Sequence, residues 1–81
     1  MKLALVTQPN CLASMSAIHW TKKSDVDIEI VDAVEIPDVI EIYGVRTFPT
    51  LLHIGEYGVV TKVEGYNGEK YSQLIGGMSN E

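Results

Sequence analysis

A chain of 81 residues with 46% hydrophobic and 21% charged side chains is long enough for one core and too apolar to stay disordered, so a single domain over 1–81 is expected. Its net charge of -5 offers no basic patch for phosphates, which argues against DNA or RNA as the main partner. No run of ~18 apolar residues supplies a membrane span, MKLALVT is too soon followed by Pro9 and Asn10 to act as a signal peptide, and one cysteine forms no internal disulfide. These features point to the cytoplasm, to protein or small-molecule partners and to a monomer.

Residues 3–6, LALV, read as a strand covered on both faces. After the Gln8-Pro9-Asn10 breaker, CLASMSAIHWTKK reads as a helix with Leu12, Met15, Ile18 and His19 on its apolar side and two lysines in its last turn. VDIEIV, residues 26–31, alternates Val26, Ile28 and Ile30 with Asp27 and Glu29, the pattern of a strand buried on one face. In EIPDVIEIYG, Pro37 suits a first helical turn, Ile36, Val39, Ile40 and Tyr43 make a narrow stripe, and Gly44 ends the helix. Two strands, 50–54 and 59–63, joined by a turn with Gly55 and Gly58, form an antiparallel hairpin. A loop with Asn67 as cap leads to a last helix that places Tyr71, Leu74, Ile75 and Met78 on one face, and the terminal SNE is expected to fray.

The order is therefore β-α-β-α-β-β-α. A right-handed βαβ unit makes the first two strands parallel, and the hairpin completes a four-stranded mixed sheet with helices on both faces. Cys11 then stands at the turn from the first strand into the first helix. There, unpaired backbone N–H groups and the helix dipole favour the thiolate, the nucleophile of disulfide exchange. His19 and His53 lack metal-ligand spacing and read as structural or surface residues, and Trp20 as a packing residue.

Two segments carry a family likeness. YGVRTFPTLL, residues 43–52, resembles the thioredoxin superfamily closely, and the C-x-x-S of Cys11 to Ser14 stands where that family puts its C-x-x-C or C-x-x-S site. VEGYNGEKYSQLI is similar to the family's glycine-containing loop and closing helix. The likeness spans nearly the whole chain, whose short length is closer to glutaredoxin and the small glutaredoxin-like electron donors of ribonucleotide reductase than to full thioredoxin. It implies an α/β, thioredoxin-like fold and a thiol–disulfide oxidoreductase. Cys11 would be the nucleophile, Ser14 would occupy the resolving position, and Thr47, Phe48, Pro49, Gly65 and Tyr66 would shape the substrate groove. It further implies a cis Phe48–Pro49 bond, a disulfide-containing protein as substrate, glutathione or thioredoxin reductase as electron source, and no bound cofactor or metal.

Ser14 departs from the dithiol pattern because it cannot resolve a mixed disulfide. The chain is then a monothiol type resolved by glutathione, a form that kept binding without turnover, or a dithiol site with its second cysteine replaced. Leu12 and Ala13 stand where cluster-binding monothiol glutaredoxins carry Gly and Phe. The family's basic or aromatic residue before the cysteine is missing, with Gln8, Pro9 and Asn10 there. The competing reading is a redox-inactive binding module that uses the groove beside Pro49. A metal-handling domain with one cysteine ligand ranks last. Arg46 reads equally as an anchor for an anionic substrate terminus and as a solvated loop residue.

Overall fold

The computed structural model describes residues 2–79, with the side chains of all but residues 60 and 77–79. The elements are β1 (Lys2–Thr7), α1 (Leu12–Lys23), β2 (Glu29–Asp32), α2 (Asp38–Tyr43), β3 (Thr50–Gly55), β4 (Gly58–Glu64) and α3 (Gly68–Ser79), in the order read from the sequence. The side chain of Met78 and the residues Asn80 and Glu81, which carry expectations above, lie outside those described.

The strands form one mixed sheet in the order β2-β1-β3-β4. β1 runs parallel to β2, with Ala4 opposite Glu29 and Thr7 opposite Asp32. It runs antiparallel to β3, with Leu5 opposite Leu51. The β3–β4 hairpin turns through Glu56 and Tyr57 and has an irregular register between His53 and Ile54. Because β1 and β3 are central, their side chains are buried on both faces. Leu5 and Leu51 pack with Ala17, Tyr71 and the flanks of Ile18, Trp20 and Leu74 beneath α1 and α3. Ala4, Val6 and Leu52 pack on the other face with Val31, Val39 and Val45 beneath α2. Two thin cores thus hold the sheet between helices, as a continuous apolar β1 requires.

Helix ends follow local chemistry. Pro37 precedes α2 with φ -64, and Gly44 ends it in the left-handed region at φ 64, where a side chain would be strained. Asn67 caps α3 as expected, its Oδ1 accepting the Lys70 N–H at 3.0 Å.

The structure corrects three side-chain placements. On α1 the buried residues are Ser14, Ala17 and Thr21, whereas Leu12 and Met15 are 82% and 59% exposed. Small side chains let the helix lie close on the sheet, and Ile18 and Trp20 fill its margins. In β2 pairing starts only at Glu29, so Val26 and Ile28 lie before its ladder although Ile28 packs on the core, and Ile30 is half-exposed because β2 is an edge strand. On α2, Val39 is buried and Tyr43 half-buried, but Ile40 reaches solvent, as does Ile36 before the helix, because the helix has six residues and covers little of the sheet.

Candidate functional site

β1 ends at the buried Thr7, and the chain turns into α1 through Pro9 and Asn10. Asn10 adopts φ 60, a left-handed conformation that asparagine tolerates better than most residues. This turn delivers Cys11 to the N-cap of α1 in extended geometry, where its carbonyl accepts the Met15 N–H at 3.0 Å. Its side chain makes no capping bond. The thiol is partly exposed.

The neighbourhood lowers the Cys11 pKa. The largest cause is the Ser14 hydroxyl, followed by the Ser14 N–H; burial opposes them, and the Ala13 N–H and the Gln8 side chain assist. Ser14 is fully buried, and its Oγ accepts the Gln8 backbone N–H at 3.4 Å. A hydroxyl held in this way is oriented to donate to a thiolate. No acidic side chain occupies the first turn of α1 to compete for the same N–H groups.

Removing that hydroxyl in Ser14→Ala is expected to raise the Cys11 pKa toward the ordinary ~8.5. The pH midpoint of iodoacetamide alkylation would move up with it. An unmoved midpoint would leave the helix N–H groups and the Gln8 side chain as the cause.

Opposite the thiol lies the segment joining α2 to β3. Its Phe48–Pro49 bond is cis, as expected, and the Phe48 carbonyl stands 4.0 Å from Cys11 Sγ. Three bonds brace the segment. Thr50 Oγ1 donates to the Thr47 carbonyl at 2.7 Å. The Gly65 N–H donates to the Pro49 carbonyl at 2.7 Å, and the Tyr71 hydroxyl donates to the Gly65 carbonyl at 2.7 Å. Gly65 holds φ 79, which only glycine takes without strain. Arg46 bonds Glu64 at 2.7 Å across the base of the loop, so its charge is already paired.

No protein-family model matches the sequence, and no curated protein does. Solved structures do match. The glutaredoxin-like NrdH-redoxin of Escherichia coli superposes with a TM-score of 0.72 at 17% identity, over 91% of this chain and 95% of that one. The glutaredoxin of Archaeoglobus fulgidus gives 0.70 at 23% identity, over 91% of this chain and 85% of its own. Thioredoxin 1 of Thermosipho africanus gives 0.67 at 21% identity, over 100% of both chains. This is a thioredoxin fold, in its short glutaredoxin-like form. At these identities the likeness carries the fold alone.

On the thioredoxin fold so established, the residues singled out from the sequence take definite places. Cys11 and Ser14 meet at the start of α1, and Phe48 reaches them from the cis-proline segment. Gly65 joins through Pro49, Thr47 is exposed beside it, and Tyr66 lies edge-on to Tyr71 at 5.7 Å with 42% of its surface exposed. Among the described residues no three His, Cys, Asp or Glu side chains gather as a metal site, and no helix is long and apolar enough to cross a membrane.

Sequence reasoning missed three contributors. The Gln8 backbone N–H has no sequence signal. Tyr71 carries in the sequence only the mark of an apolar-face residue, though its hydroxyl binds Gly65. The exposure of Leu12 and Met15 has its signal in the small residues at 14, 17 and 21, which recur at helical spacing and mark the buried side instead.

Proposed function

We propose that the chain exchanges disulfides through Cys11. The observation that carries this reading is a single thiol at a helix N-cap, lowered in pKa by Ser14 and the helix N–H groups, facing the Phe48–Pro49 segment at 4.0 Å. The Cys11 thiolate attacks one sulfur of a substrate disulfide. A new S–S bond forms to Cys11, the substrate S–S bond breaks, and the second substrate sulfur leaves as a thiolate.

Ser14 orients the attacking thiolate and supplies no second sulfur, so an external thiol must attack the mixed disulfide and release Cys11. Each full reduction therefore draws two electrons from outside the chain. Glutathione or a reductase such as thioredoxin reductase is the fitting donor, and a disulfide-containing protein the fitting substrate. The segment 47–49, with Gly65 and Tyr66, would receive the substrate chain. A lone thiol of this kind stays reduced in the cytoplasm, the compartment we assign.

The test is stoichiometry. Mixed with excess disulfide-bearing peptide and no other thiol, the protein should release one thiol equivalent per chain and then stop, with the peptide attached to Cys11 by mass. Addition of glutathione should restart release. Failure to acquire the peptide while the native fold persists would overturn the proposal.

A further inference from the structure

The side chain of Tyr71 is fully buried between Trp20, edge-on at 5.3 Å, and Tyr66, edge-on at 5.7 Å. A phenylalanine would fill the same space. The hydroxyl is what distinguishes this residue, and it donates to the Gly65 carbonyl at 2.7 Å while the Gly65 N–H donates to the Pro49 carbonyl at 2.7 Å. Burial raises the Tyr71 pKa, so the hydroxyl keeps its proton and remains a donor.

Pro49 has no N–H, so its carbonyl is the one backbone polar group by which it can be anchored. Gly65, at φ 79, has neither a side chain nor any atom near its Cβ direction to hold it in place. Two hydrogen bonds in series thus lead from the core of α3 to the peptide beside Phe48, whose carbonyl faces Cys11.

We propose that the Tyr71 hydroxyl is a positioning group for the exchange site. By fixing Gly65 it fixes the Pro49 carbonyl, and with it the edge along which a substrate chain is laid opposite Cys11. This rests on the reading of Cys11 as an exchanging thiol. Tyr71 touches neither substrate nor sulfur, so its effect should fall on substrate engagement and leave the reactivity of the thiolate alone.

The experiment compares Tyr71→Phe with the wild type on two reagents. The first is a short extended peptide whose cysteine is capped by thionitrobenzoate, with release of the coloured thiol followed against peptide concentration. The second is iodoacetamide, which needs only the thiolate. Loss of one hydrogen bond in the series should raise the half-saturating peptide concentration about fivefold, with the limiting rate held within about twofold. The rate and pH midpoint of alkylation should not change. Leu74→Ala, which trims the same core without touching the series, should leave half-saturation at the wild-type value.

An unchanged half-saturation in Tyr71→Phe overturns the proposal, as does an equal rise in Leu74→Ala or a parallel shift in alkylation. If Tyr71→Phe fails to fold, the hydroxyl serves stability and the proposal likewise fails. A wild type that alkylates but never releases thionitrobenzoate would instead remove the underlying reading of Cys11, so the two failures are distinguishable.

Discussion

Replacing Cys11 by serine is expected to abolish disulfide exchange completely while leaving the fold intact. The chain has no other thiol, so no second route to a mixed disulfide exists. Structurally the change is mild. Cys11 is partly exposed and makes no capping bond at the N-cap of α1. Serine is among the preferred residues there, because its oxygen accepts an N–H of the first turn. Thermal unfolding, followed at a pH low enough to protonate the thiol in both states, should accordingly be unchanged or shifted up by about 4 °C.

That pattern would mark Cys11 as a residue kept for its chemistry at some expense to helix capping. Residual exchange in Cys11→Ser would contradict the assignment, and a marked fall in thermal stability would make Cys11 a packing residue. Retained binding of the substrate peptide by Cys11→Ser, set beside a wild type that also binds but never exchanges, would favour the binding-module reading.

The second large effect concerns the core. Leu51 is completely buried in β3, opposite Leu5 in β1 and Val63 in β4, and it packs beneath α1 and α3 with Ala17 and Tyr71. Truncating such a leucine to alanine costs about 2–5 kcal/mol, from lost transfer energy and the cavity left behind. A chain of 81 residues has about 4–12 kcal/mol in all. Leu51→Ala should therefore remove roughly half of the stability, read as a lower urea midpoint at unchanged slope.

Leu51 lies two residues beyond Pro49, so the variant should also show less protection of the hairpin amides next to the site. The contrast is Leu12→Ala. Leu12 looks like a core residue in the sequence but is 82% exposed, and its loss should change stability by no more than about 0.5 kcal/mol. Equal losses from the two leucines would contradict the packing described.

That contrast shows where the sequence was legible. The order of elements, the Gly44 stop, the Asn67 cap and the hairpin glycines could be read because each depends on local backbone chemistry within a few residues. Cys11 at a helix start was legible for the same reason. The buried face of α1 was not, because hydropathy ranks Leu12 and Met15 above Ser14, Ala17 and Thr21. Close helix–sheet contact selects for size, and size is not what periodicity counts.

Ile30 was misplaced because an alternating strand looks alike at an edge and in the middle of a sheet. The bracing of the cis-proline segment was invisible for a different reason. Its bonds join Pro49 to Gly65, 16 positions on, and Gly65 to Tyr71 across the cap of α3, and only the folded sheet brings these together. The sequence allows Arg46 an anchoring or a solvated role. The structure pairs it with Glu64, which settles its charge without giving it a ligand.

The lowered pKa of Cys11 also couples to folding. The folded chain releases this proton before the unfolded chain does, so the thiolate contributes stability that is fully present above the unfolded value and is lost as pH falls through the folded one. Whether Cys11 is an activated nucleophile is read from the pH dependence of its alkylation by iodoacetamide in the folded chain, set beside the same chain unfolded in urea. The folded midpoint should lie below the unfolded one, with fast reaction near neutrality. A folded chain that reacts more slowly than the unfolded chain at every pH would show a shielded, unactivated thiol and contradict the assignment of Cys11 as the nucleophile.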